Sequence, residues 1–121
     1  MNKAEIILST DKMTIIEKSK MYVFHLKDII GFFSDHPYVK IETTISTPIQ
    51  IFHSLEKIGQ LLPSPFIVCN RSSIINMMHI HQVIPDDSKC FLHLENGREI
   101  RIARRRKSDV IKQIRAIKRK L

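Results

Sequence analysis

Phe66-Ile-Val-Cys-Asn-Arg-Ser-Ser-Ile-Ile-Asn76 is the stretch on which the reading of the fold turns. Two short apolar runs, Phe66–Val68 and Ile74–Ile75, flank a polar turn of Asn70, Arg71 and Ser72. Apolar runs too short for a helix and bounded by turn residues are strand signals. The turn also carries chemistry, because Asn, Arg and Ser side chains hydrogen-bond base edges and phosphates. A plain polar turn, or Arg71 paired with a local carboxylate, is the alternative.

Toward the N-terminus the strand signals continue. Met21–Leu26 is rich in β-branched and aromatic residues, and Ile29-Ile-Gly-Phe-Phe33 reads as a buried strand. Tyr38–Thr44 alternates, with Val39, Ile41 and Thr43 on one face and Lys40, Glu42 and Thr44 on the other. Ser34-Asp-His-Pro37 joins these two as a hairpin with its tip at Asp35–His36. Ser54–Leu62 differs: Leu55, Ile58, Leu61 and Leu62 fall at helical spacing, Ser54 can cap and Pro63 stops the run. Gly59 costs this helix about 1 kcal/mol relative to Ala. The helix should pack across a sheet.

Toward the C-terminus, Ile80–Ile84 and Cys90–Leu94 read as strands joined by Pro85-Asp-Asp-Ser88. Glu95-Asn-Gly-Arg98 signals a hairpin, with Asn-Gly suited to positive φ at both central positions of a type I′ turn. Glu99–Ile102 is the return strand. Val110, Ile111, Ile114, Ile117 and Leu121 then mark a terminal helix with a basic outer face. The expected fold is mainly β: seven to ten short strands, one middle helix and a C-terminal helix. With 121 residues, no repeat and no linker, residues 1–121 form a single domain.

Charge is distributed unevenly. Residues 1–97 hold nine Lys/Arg against ten Asp/Glu, while residues 98–121 hold eleven Lys/Arg against Glu99 and Asp109. A cationic last fifth points to a polyanionic partner, nucleic acid first and an anionic membrane surface second. Arg104-Arg-Arg-Lys107 lies between a strand and a helix, where cations oppose the helix dipole unless phosphate is present.

Catalytic signals are poor. There is no Gly-rich phosphate loop and no Gly-x-Ser-x-Gly elbow, and the six histidines are scattered. His79 and His81 could share a strand face, but no ligand set completes a metal site. We therefore expect no catalysis, no cofactor, no metal and no small-molecule substrate. Cys69 and Cys90 are too far apart in the chain to suggest a disulfide scaffold and read as half-buried free thiols. No apolar stretch reaches membrane-spanning length, so the expected location is the cytosol.

The Phe66–Asn76 stretch resembles the signature of the LytTR family, a Phe followed by a His-Arg-Ser-Tyr-Ile-Val-Asn type segment. Asp28-Ile-Ile-Gly-Phe-Phe with Tyr38–Ile41 is similar to the family's opening hairpin, and Ser54–Ile58 with Leu61–Pro63 to its helix. Leu94–Ile100 and Ala103–Lys107 resemble its closing hairpin and its Ser-Arg-Arg type loop. The resemblance covers about residues 4–112, with a basic helical tail at 108–121. Asn70 stands in place of His, Ser73 of Tyr, Ala103 of Ser, and Phe33 of an acidic residue.

The resemblance implies an elongated β-sheet fold and a bacterial-type transcription regulator, a stand-alone protein or the output domain of a response regulator. It implies sequence-specific binding of double-stranded DNA through three loops that engage successive major grooves and bend the duplex. Carried over here, the first loop supplies His36, Tyr38 and Lys40. The second supplies Asn70, Arg71 and Ser72, and the third Arg104, Arg105, Arg106 and Lys107. A second copy on adjacent repeat sites is a further expected partner; a membrane is not. Such loops should share one edge of the fold, spaced at about one DNA turn, roughly 34 Å. The competing readings are a protein-interaction or anionic-surface module using only the C-terminal helix, and an RNA-binding β-module. The latter needs an exposed aromatic platform, whereas Phe32, Phe33, Phe66 and Phe91 read as core.

Overall fold

The run Ile29-Ile-Gly-Phe-Phe33 is apolar on both faces because its strand is buried on both faces. A computed structural model of the chain describes residues 2–86 and 89–118. Its centre is a five-stranded antiparallel sheet. Its members are β4 (Ile29–Asp35), β5 (Tyr38–Thr43), β6 (Ile49–Phe52), β7 (Phe66–Asn70) and β8 (Ser73–Asn76), in the order β6-β5-β4-β8-β7. One face carries a three-stranded sheet of β1 (Glu5–Leu8), β2 (Lys12–Glu17) and β3 (Lys20–His25), with helix α1 (Leu55–Leu61) beside it. The other carries β9 (Ile80–Asp86), β10 (Lys89–Leu94) and β11 (Glu99–Arg101), with helix α2 (Lys107–Lys118). Ile29 and Phe32 join Met13, Ile15, Phe24 and Ile58 in the first core; Ile30 and Phe33 join Cys90, Leu92, Ile100 and Val110 in the second.

Local features explain the joints. Ser54 Oγ accepts the Lys57 N–H at 3.3 Å, capping α1. Gly59 brings that helix onto the sheet, since a Cβ there would meet Ile74 Cδ1 at 3.3 Å. Gly31 has a harder constraint: a Cβ would lie 2.7 Å from the Ile74 carbonyl oxygen of the next strand. Asn76, 1% exposed, donates to the Ile29 carbonyl at 3.1 Å and accepts the Met78 N–H at 2.9 Å, locking β8 to the start of β4.

The structure corrects several expectations. The described residues hold eleven strands rather than seven to ten, because Glu5–Leu8, Lys12–Glu17 and Ile49–Phe52 form strands that the sequence reading did not assign. The β4–β5 turn is centred on His36–Pro37, one residue later than expected, since Asp35 pairs with Tyr38. The Glu95–Arg98 turn is not type I′: Gly97 takes φ +88° but Asn96 does not have positive φ. Gly97 N–H instead closes on the Leu94 carbonyl at 2.9 Å, and Asn96 Oδ1 accepts the Arg98 N–H at 3.1 Å. The two cysteines are free and fully buried rather than half-buried. Part of the 85–88 turn, Leu121 and the tail beyond residue 118 lie outside the described residues.

Candidate nucleic-acid interface

Strand register decides where the turns go. Asp35 pairs with Tyr38, Phe33 with Ser73, and Ser73 with Asn70. The turns at residues 36–37 and 71–72 therefore leave the central sheet from the same edge. Ser34 N–H donates to the Ser72 carbonyl at 2.9 Å and joins their roots. A β-bulge between Val68 and Asn70 frees the Cys69 carbonyl, which accepts the Ala103 N–H at 2.9 Å. That bond lays residues 101–103 along the open side of β7. The 3-10 turn Arg104–Arg106 then rises from the same edge and runs into α2.

Asn70 is the clamp at this junction. Its Nδ2 donates to the Arg101 carbonyl at 2.6 Å and its Oδ1 accepts the Ser72 N–H at 2.8 Å. Both ends of the amide are engaged within the protein, leaving Arg71 and Ser72 as the exposed side chains of this turn. The second and third turns enclose one open concavity of ≈ 730 Å³, walled by Arg71, Ser72 and Arg104–Arg106, with Arg101 alongside. Sequence reasoning missed Arg101. Its signal was the alternation of β11, where buried Ile100 implies outward neighbours. Among the described residues, no carboxylate lies within 4.0 Å of the charged ends of these arginines.

The first turn sits beside this concavity, not in it. His36 is exposed. Tyr38 is the first residue of β5, half-buried, with its ring 6.2 Å from that of Phe52. Lys40 stands inside the strand opposite Gln50, near the carboxylate of Glu42, and does not reach the edge. Lys107 opens α2 and faces a separate groove with Lys112 and Arg115, which meets the first at Arg104. At the level of the backbone, the first and third turns leave the sheet about three and a half strand spacings apart, roughly 17 Å at about 4.8 Å per strand, where one DNA turn was expected.

Two features limit other chemistry. Burial pushes the Cys69 thiol up to about 12, against the weaker pull of Arg106, so it is no thiolate at neutral pH. Arg98, counted in the basic segment, turns inward. Its Nε donates to Glu42 Oε1 at 3.1 Å, its Nη2 bonds Glu42 Oε2, and its guanidinium lies 3.9 Å from the Phe33 ring centroid. Among the described residues no helix is long and apolar enough to cross a membrane.

A family model described as the LytTr DNA-binding domain matches residues 19–115. A solved LytTr DNA-binding domain from Bacillus cereus, of a protein described as a methyl-accepting/DNA response regulator, superposes with a TM-score of 0.73. It shares 21% identity over 88% of this chain and 98% of its own. Among curated proteins there is no match.

Proposed function

We propose that this chain, which belongs to the LytTr DNA-binding domain family, is a cytosolic regulator that reads double-stranded DNA sequence-specifically through the turns on one sheet edge. The observation that carries this is the meeting of two cationic turns, 70–72 and 104–106, in one concavity without carboxylate partners. Arg104–Arg106 also crowd the positive end of the α2 dipole, a placement that bound phosphate makes favourable. A duplex partner fits better than single-stranded RNA: Phe32, Phe33 and Phe66 are buried, and Phe91, expected in the core, is half-buried, one ring where a stacking platform needs several. The edge is about half as wide as the separation of successive major grooves, so engaging two of them requires bending the duplex around it. The whole chain acts as one domain, and a second copy can occupy an adjacent repeat.

Selection of bound sequences from a random duplex pool supplies the site on which this is tested. Arg71→Ala and Arg104→Ala should each reduce discrimination between that site and random DNA by about 1–3 kcal/mol, the worth of a bidentate guanine contact. Equal losses on both duplexes would make these arginines phosphate contacts only. An anionic-surface module acting through α2 alone would instead leave Arg71→Ala without effect.

His36 is exposed at the tip of the first turn, and its ring can donate to base edges or phosphate. His36→Ala should weaken specific binding by at least about 1 kcal/mol. The melting temperature of the free protein should barely move, because exposed turn substitutions stay within about 0.5 kcal/mol. Wild-type affinity in the variant would remove His36 from the interface.

A further inference from the structure

We infer that the duplex contact continues past the His36 turn into a second cationic cradle, formed by Lys3, His36, His53 and Lys57, that takes a backbone phosphate of the same DNA. The inference rests on the reading of the turn edge as the DNA surface. It concerns the opposite end of the footprint from the arginines.

The cradle is assembled from four separate parts of the chain. Ala4 N–H donates to the Phe52 carbonyl at 2.9 Å, which sets Lys3 beside the end of β6. His53 follows β6 directly, Lys57 stands in the first turn of α1, and His36 comes from the β4–β5 turn. Between Lys3, His36 and His53 is a concavity of ≈ 310 Å³, whose walls also include Ser34, Tyr38 and Ser54 and no acidic residue; Lys57 is not one of its walls and joins it through Lys3.

Its polar groups are donors. Lys57 comes within hydrogen-bonding reach of Lys3, and this neighbour holds the Lys3 ammonium below its ordinary range. Two ammonium groups brought together repel, and an anion between them offsets the repulsion. His53 Nδ1 lies against the Ser54 backbone, 2.9 Å from its N–H and 3.2 Å from its carbonyl oxygen, and Nε2 has no hydrogen-bond partner among the described residues, so it can donate to an anion when it carries the proton. The nearby carboxylates lie outside its walls and are held by other donors: Glu17 accepts the Phe52 N–H at 2.8 Å beside the concavity, and Asp35 is bonded by Gln50. Lysine ammoniums and a single imidazole N–H are point donors without the planar fork that reads guanine, so the fitting ligand is phosphate and not a base edge. A duplex crossing the edge from Arg104 past Arg71 and His36 arrives here. Residues 1–97 carry slightly more acid than base, so this positive spot exists only in the folded chain.

The test uses the full chain, the selected duplex and a random duplex of equal length, titrated between 50 and 200 mM salt. The double variant Lys3→Ala/Lys57→Ala should bind both duplexes about 10- to 50-fold more weakly at 100 mM salt, with a salt slope shallower by about 1 and an unchanged melting temperature. Wild-type affinity and slope in the double variant, beside a wild type that binds steeply with salt, would overturn the cradle and leave the arginine edge standing. A loss confined to the selected duplex would overturn the phosphate assignment. A wild type that does not bind duplex DNA removes the proposed function, and the cradle with it.

Discussion

Raising monovalent salt from 50 to 200 mM should weaken binding of this chain to duplex DNA about a thousandfold. Arg71, Arg101, Arg104, Arg105 and Arg106 are exposed on or beside the turn edge, and Lys107 opens α2 next to them. Six phosphates neutralised by these six cations would release enough condensed counterion to give a slope of log K against log salt near −5. A fourfold change in salt then covers about three decades. The Lys3 and Lys57 cradle would steepen the slope further, which is why its removal is read as a change of slope. Fluorescence anisotropy of a labelled duplex across the salt series measures this directly. A flat response would remove the electrostatic basis for the interface, since exposed arginines without carboxylate partners have no other way to contribute so much.

The second large effect concerns stability. Glu42→Gln should destabilise the fold by about 2 kcal/mol at neutral pH. Glu42 is 8% exposed and receives Arg98 Nε at 3.1 Å, Arg98 Nη2, and Asn96 Nδ2 at 3.0 Å. Removing the charge leaves a partly buried guanidinium over Phe33 without its counter-ion, the costly half of a broken pair. Arg98 keeps about a third of its side chain in water, which holds the cost below that of a fully buried pair. Burial acts to raise the Glu42 carboxyl, but Arg98 and Asn96 overcome it and hold the group below the ordinary carboxylate range. A depressed folded value means stability that is fully present above the unfolded value of about 4.3 and is lost as pH falls through the folded one. The free-energy gap between wild type and variant in denaturant unfolding should therefore stay level from pH 8 to about pH 5 and close below about pH 4. A gap that persists unchanged in acid would mean that the loss comes from packing and not from the charge.

Much of the architecture was legible because its causes are local. The helix at Leu55–Leu61 follows from the spacing of Leu55, Ile58 and Leu61 and from the Ser54 cap, and α2 from Val110, Ile111, Ile114 and Ile117. The strands around Phe32, Val39, Ile75 and Leu92 follow from short apolar or alternating runs. The family resemblance of the Phe66–Asn76 stretch pointed to the fold that the comparisons bear out. The β1–β2 hairpin was not resolved, because Glu5–Leu8 is a four-residue edge strand with only partial burial. The Glu95–Arg98 turn was mistyped, because the Asn96 side chain bonds to Glu42, 54 positions away.

Segment by segment, the sequence by itself determined that this is a mainly β chain with two short helices, a cationic C-terminal fifth and a recognisable polar turn at residues 70–72. Such features depend on neighbours within about four residues, where side-chain periodicity and turn chemistry act. Only the tertiary structure decided which cations face outward together. The Cys69–Ala103 hydrogen bond joins the 70–72 and 104–106 turns. It also brings in Arg101, while Glu42 draws Arg98 inward and Lys40 stays inside β5. The physical reason is register: which backbone groups pair across non-adjacent strands depends on how both faces of the central sheet are buried, and no local pattern in the chain encodes that partnering.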